Sequence, residues 1–182
     1  MTGWILSLLL TAAVHAQVEP PNGVLLVAKP ELVDPNFRET VVLVSQTPDG
    51  STVGVILNRP TPRRHEKSGD PVGFGGPVMR EVLVALYRSE RQPEAAAFHV
   101  LRGVYLTMHP QNIEPLLKKD SDGSSHRLFM GFSGWAPGQL ESELARDGWF
   151  VLPASAEILF RKDSSGMWEE LVRKARGRVA MR

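Results

Sequence analysis

The stretch Gly131–Trp149, GFSGWAPGQLESELARDGW, constrains the fold of this chain more than any other. Small residues open into a short helix. Pro137 suits the first helical turn, where its missing N–H is not needed. Leu140 and Leu144 fall four apart on one face, among Glu141, Glu143 and Arg146. Gly148 is expected to stop the helix, and Trp149 to start an apolar strand, WFVLPA. Four glycines and two tryptophans in so short a stretch imply tight backbone geometry and close packing. They do not form a catalytic constellation.

The flanking sequence alternates short apolar runs with turn residues. Gly23–Pro30 (GVLLVAKP) reads as a strand, and Asp34-Pro35-Asn36 as a turn. Thr40–Gln46 and Thr52–Asn58 read as a hairpin around Asp49-Gly50. Both arms are nearly continuous apolar runs, the pattern of a sheet buried on both faces. Arg59–Val72 (RPTPRRHEKSGDPV) holds three prolines and mixed charge, and is expected to be a loop. Further strands are expected at EVLVALYR, AFHVL, GVYLT and HRLFMGFS. A short helix is expected over Pro110–Lys119, a loop at Ser121–Ser125, and a helix over Met167–Arg176 with Trp168, Leu171, Val172 and Ala175 on one face. Many short strands with few helices make an α+β domain with a mostly antiparallel sheet.

The 182 residues are 42% hydrophobic, enough for one domain with its own core. Lys and Arg number 21 against 20 Asp and Glu, so no global charge draws the chain to nucleic acid or an anionic membrane. The absence of cysteine excludes disulfides, thiolate metal sites and thiol nucleophiles. Trp4–Val14 is an apolar run with small residues at Val14 and Ala16 before Gln17. It has the form of a secretory signal peptide over residues 1–16, which would place the protein in the periplasm. The alternatives are an uncleaved N-terminal helix or a start placed too far upstream, with the protein in the cytoplasm. The expected organisation is therefore a leader over 1–16 and one domain over 17–182, with a basic C-terminal helix from about Met167.

In order, GVLLVAKPELVDPNFRETVVLV, GVILNRP, FGGPV, GFSGWAPGQLESEL, a W-x-x-x-P strand and an ILF segment span Gly23 to Phe160. That order and spacing resemble the YqgE/AlgH family of bacterial proteins. The resemblance implies an α+β fold, a bent antiparallel sheet closing towards a pseudo-barrel with a few short helices packed outside. It implies no established enzyme activity, and the family label of transcriptional regulator carries no DNA-binding mechanism. The apolar leader, the loop RRHEKSGDPV and the tail beyond Phe160 read as particular to this chain.

Each candidate chemistry has a plainer account. Ser133 in GFSGW resembles a nucleophile elbow, but that pattern is G-x-S-x-G, and here Trp135 occupies the second glycine's place. A tight strand-to-helix turn explains it better. The five histidines, His15, His65, His99, His109 and His126, show no metal-ligand spacing. His65, Glu66 and Asp70 read as solvated loop residues, so no metal or cofactor is expected. Gly73-Phe74-Gly75-Gly76-Pro77 lacks the lysine and following helix of a phosphate loop. Arg63-Arg64 and the tail arginines lack interleaved aromatics or a reading helix, so nucleic acid is not the expected partner. What remains is a non-catalytic binding or regulatory module. Its surface is expected where polar residues and glycines meet at strand ends: Asn58-Arg59, Gly75-Gly76-Pro77 and Ser133-Gly134-Trp135. A protein or a small anion is the partner such a surface suits. The alternatives are a cytoplasmic transcriptional regulator and a weak serine hydrolase on Ser133.

Overall fold

Residues 20–118 and 125–179 are described by a computed structural model. The expected leader with its cleavage point, residues 119–124 and Arg182 lie outside them. Among the described residues no helix is long and apolar enough to cross a membrane.

The first apolar runs form β1 (Val24–Ala28), β2 (Val41–Gln46) and β3 (Thr52–Ile56), successive antiparallel neighbours. The β2–β3 turn falls at Asp49-Gly50, as the sequence predicts; Asp49 accepts from Ser51 N, and Gly50 takes φ +84°. β10 (Trp149–Pro153) adds to the other side of β1. β6 (Val78–Arg88), β7 (Phe98–Leu101) and β8 (Val104–Thr107) form the other half of the sheet. The two halves meet on β9 (His126–Trp135), which pairs with β6 along its length and with β3 at its end. The order is β10-β1-β2-β3-β9-β6-β8-β7. Every pairing is antiparallel except that of Pro71–Phe74 with β9. The sheet bends as expected but is not a closed barrel. Across the gap, Asn22 and Gly23 donate to the carbonyls of His99 and Val100 on β7.

Strand alternation explains burial on both faces. Leu25 and Val27 of β1 enter one cluster with Leu43, Val55, Leu86 and Phe129, while Leu26 and Ala28 enter another with Val42, Val44 and Ile56. The first cluster is closed by α3 (Ala156–Leu159) and α4 (Met167–Val179), whose Met167 and Leu171 are fully buried. Each such side chain contributes roughly 1.5–3 kcal/mol. Trp168 Nε1 also donates to the Ala28 carbonyl at 2.7 Å. The second cluster is covered by α2 (Gln139–Ala145). A third cluster, Val72, Ala85 and Leu128, is covered by α1 (Pro110–Ile113) and the 3-10 turn Leu116–Lys118, which replace the single helix expected over Pro110–Lys119.

Three local expectations are corrected. Arg59–Val72 is no loop: β4 (Pro60–Arg64) and β5 (Pro71–Phe74) form a hairpin there. Prolines are tolerated on β4 because it is an edge strand. GFSGW is no strand-to-helix turn either, since β9 continues through Trp135. Finally, Pro137 precedes the helix, whose N-cap is Gly138, and the left-handed residue after α2 is Asp147 (φ +63°) rather than Gly148.

Candidate functional site

The three segments expected to form a surface do meet, but around a buried node. Gly75 O accepts from Ile56 N at 2.9 Å and from Ser133 Oγ at 3.1 Å. Gly75 and Gly76 are buried, and Ser133 is wholly inaccessible. Gly134 pairs with Val53 of β3. Pro77 enters the long β6 beside its irregular register between Val78 and Leu83. The chain passes so close to β9 here that a Cβ on Gly75 would lie 2.2 Å from Gly131 O. These residues are therefore packing at a crossing of strands, which corrects the expected surface.

Trp135 is also interior. Its ring stacks on Phe37 at 5.4 Å, and Trp149 meets Phe37 edge-on at 5.6 Å. Both indole N–H groups donate to Glu143 Oε2, each at 3.1 Å. Glu143 on α2 thus pins two tryptophans. Asn58 braces backbone: its Oδ1 accepts from Val41 N at 2.8 Å and its Nδ2 donates to Glu39 O at 2.9 Å. Asn58 and Arg59 line a shallow recess against the start of α4, and of the expected residues Arg59 alone also reaches the deeper cleft beside it.

That site is a cleft of about 310 Å³ between the β4–β5 hairpin, the start of β9 and the segment before α4. Its floor is apolar, from Pro60, Pro71, Val72 and Leu128. Its charged lining is Arg59, Arg64, Arg127, Arg161 and Lys162 against one carboxylate, Asp70. Asp70 is buried and accepts from His126 Nε2 at 3.1 Å, with His126 only 2% exposed. This corrects the reading of Asp70 as a solvated loop residue. The parallel pairing of β5 with β9 brings the two together: Val72 faces Leu128, so Asp70 falls beside His126. With its proton on Nε2, the imidazole can accept at Nδ1, where Ser125 Oγ lies at 3.4 Å. A row of rings continues across the sheet, with His126 opposite Tyr87, Tyr87 opposite Tyr105, and Tyr105 opposite His99. His99 stacks on Tyr105 at 4.9 Å. The Tyr87 hydroxyl is buried without a hydrogen-bond partner. Burial first, and then the neighbouring Tyr105, push it up to about 12.

Arg127, the next residue on β9, also lines the cleft. Its Nη1 donates to Leu159 O at 2.9 Å and its Nη2 to Leu57 O at 2.8 Å, tying the ends of α3 and β3 together. Its guanidinium lies 5.2 Å from the Phe129 ring. Desolvation lowers it to about 10. Both bonds go to carbonyls, which leave its positive charge unbalanced. Arg59 likewise donates to Arg38 O at 3.1 Å and Arg64 to Gly69 O at 2.8 Å. Arg161 is the exception, held bidentately by Glu170 at 2.7 and 3.1 Å.

A family model described as AlgH-like matches residues 25–180. The chain belongs to the AlgH-like family. Its match spans both the 63–72 segment and most of the C-terminal helix. A UPF0301 protein of Thermobifida fusca is 33% identical over 87% of this chain and 89% of its own length. One from Streptomyces coelicolor is 33% identical over 91% and 92%. The solution structure of the AlgH protein from Pseudomonas aeruginosa superposes with TM-score 0.69 at 21% identity, covering 86% of this chain and 90% of that one. A crystal structure from Corynebacterium diphtheriae gives 0.68 at 24%, covering 86% and 88%. At those identities the likeness to both structures is one of fold.

Sequence reasoning weighed Arg64, Asp70 and His126 separately without bringing them together, and did not single out Arg127, Arg161 or Lys162. One signal was present: Arg127 stands inside the apolar strand HRLFM, where an unpaired charge is costly.

Proposed function

We propose that this AlgH-like protein is a non-catalytic binding module that takes a small anion in the cleft beside Arg127. The observation that carries this is the lining itself: Arg59, Arg64 and Arg127 donate to backbone carbonyls, and the carboxylate beside them, Asp70, is already engaged by His126. A buried cation without a counter-charge is costly, and an anion in the cleft offsets that cost. The volume suits a small ligand.

Binding rather than turnover is favoured by the hydroxyls. Ser133 is sealed in β9 and donates to Gly75 O. Ser125 approaches His126 but does not line the cleft. Thr61 Oγ1, which does line it, donates to Val72 O at 2.5 Å rather than to the imidazole.

The test is a thermal-shift series with phosphate, sulfate, acetate and neutral solutes on the wild type, Arg59→Ala and Trp135→Ala. An anion should stabilise the wild type and Trp135→Ala, which is weakened in its core but keeps the cleft, and should fail to stabilise Arg59→Ala. No shift in the wild type with any anion defeats the reading. The competing role, a cytoplasmic DNA-binding regulator, predicts salt-sensitive retardation of DNA. Export predicts a mature N-terminus at Gln17 in the periplasmic fraction; an intact N-terminus in the cytosol defeats it.

A further inference from the structure

The cations of the cleft are spread along it and do not gather at one point. Arg161 is held by Glu170 and takes no part. Arg59, Arg64 and Arg127 donate instead to backbone carbonyls, which leave their charge unbalanced. The strand register fixes where they stand. Phe74 N donates to Arg59 O at 2.9 Å, while Arg64 pairs with Pro71. Arg59 and Arg64 are therefore separated by the run from Pro71 to Phe74 on β5, about 10 Å at roughly 3.3 Å per residue. Their side chains are anchored apart as well. Arg64 Nη1 donates to Gly69 O in the turn of the hairpin at 2.8 Å, and Arg59 Nη2 to Arg38 O, just before β2, at 3.1 Å. Arg127 comes from the β9 side, its backbone set beside Pro71 by the parallel pairing of β5 with β9. The lining around these arginines is apolar, from Pro60, Pro71 and Val72, and Gly73 adds no side chain to it.

An anion with all its charge on one group, such as inorganic phosphate, meets Arg59 or Arg64 but not both. A molecule with an anionic group at each end and an apolar middle meets both. A guanidinium carries five N–H donors, and one carboxylate matches two of them bidentately. Arg59 and Arg64 each spend one donor on a carbonyl, so each keeps enough for a carboxylate. Asp70 is turned to His126 and does not take that place. The volume of about 310 Å³ accommodates a short aliphatic chain.

We infer that the cleft takes a linear aliphatic dicarboxylate, one carboxylate on Arg59 and the other on Arg64, with its methylene chain over Pro60, Pro71 and Val72 and the charge of Arg127 alongside. This rests on the small-anion reading above and deepens it. It is tested by titration calorimetry on the full chain with succinate, glutarate, adipate and pimelate, the monomethyl ester of each, and inorganic phosphate. One member of the diacid series is expected to bind at least about tenfold more tightly than its own monomethyl ester and than phosphate. Arg64 is exposed, so Arg64→Gln should fold with an unchanged melting temperature. It should lower that diacid to the affinity of its monoester and leave the monoester within about twofold. Arg59→Gln should weaken both. A monoester as tight as its diacid at every chain length, phosphate tighter than every diacid, or a diacid affinity untouched by Arg64→Gln overturns the dicarboxylate and leaves the small-anion reading standing. Silence from all anions overturns both. A capped Glu-Ala-Glu peptide that binds more tightly than every diacid places the paired carboxylates on a protein partner and overturns the free diacid.

Discussion

Gly76→Ala tests whether the glycine turns are architecture. Gly76 has φ +153°, and a Cβ there would lie 2.3 Å from Phe132 O, 2.4 Å from its carbonyl carbon and 2.5 Å from Ser133 N. Carbon contacts need about 3.5 Å, so β9 would have to move by roughly 1 Å. It is not free to do so, because Phe132 is paired with Val78 of β6 and Ser133 with Gly54 of β3. Overpacking of this kind costs about 1–3 kcal/mol, and a strained backbone conformation adds about 1–3 kcal/mol. The expected loss is about 4 kcal/mol, the middle of their sum. Gly69→Ala is the control: Gly69 also has positive φ (+73°), but nothing lies within 4 Å of its Cβ position. It should lose only about 1 kcal/mol. Urea unfolding followed by tryptophan fluorescence measures both. With a slope of about 2 kcal/mol per molar, Gly76→Ala should unfold about 2 M earlier than wild type. A loss within about 1 kcal/mol of the control refutes the argument. So does a stably folded Gly76→Ala that has lost ligand binding, since the turn would then be a site and not a crossing.

Two further outcomes follow from the interior polar groups. Glu143→Ala strands two indole N–H donors on tryptophans only 3% and 4% exposed, and should cost about 2–4 kcal/mol, whereas Glu143→Gln keeps an acceptor and should cost much less. Equal losses for the two, measured by urea midpoint, would contradict this. Tyr87→Phe removes a buried hydroxyl without a partner and should stabilise the protein by about 1 kcal/mol near neutral pH. The Tyr87 phenol is raised in the fold from 10.0 to about 12, so the unfolded chain loses this proton first. Its contribution is fully present below pH 10 and falls as pH rises towards 12. Wild type should therefore lose about 2 kcal/mol relative to Tyr87→Phe across that interval. Parallel stability curves for the two proteins would refute it.

The local chemistry of this chain was largely legible in one dimension. The apolar runs of β1, β2 and β3 are β-branched and bounded by turn residues, and the Asp49-Gly50 turn sets their register. The Asx turn at Asp34 holds as expected, its side chain accepting from Asn36 N at 2.8 Å. The leucine spacing of α2 and the apolar stripe of α4 told which faces turn inward. Periods of two and of 3.6 are local properties, and they survive whatever the rest of the chain does.

What the sequence could not hold was which strand lies beside which. Arg59–Val72 is irregular in composition, and it becomes a hairpin because the start of β9 offers β5 an edge to pair with in parallel. That single pairing joins Asp70 to His126 across 56 positions and opens the cleft beside them. Likewise the end of β9 extends through Ser133 and Trp135 because β3 supplies partners for its backbone, so a segment that looks like a turn is strand. Ser133 and the glycines looked exposed for want of apolar side chains. They are buried because close strand crossings need small residues, a demand that arises only when two distant parts of the backbone meet. Arg127 shows the converse: its charge was plain in the sequence, but its meaning depends on Leu57 and Leu159, which only folding places within hydrogen-bond reach.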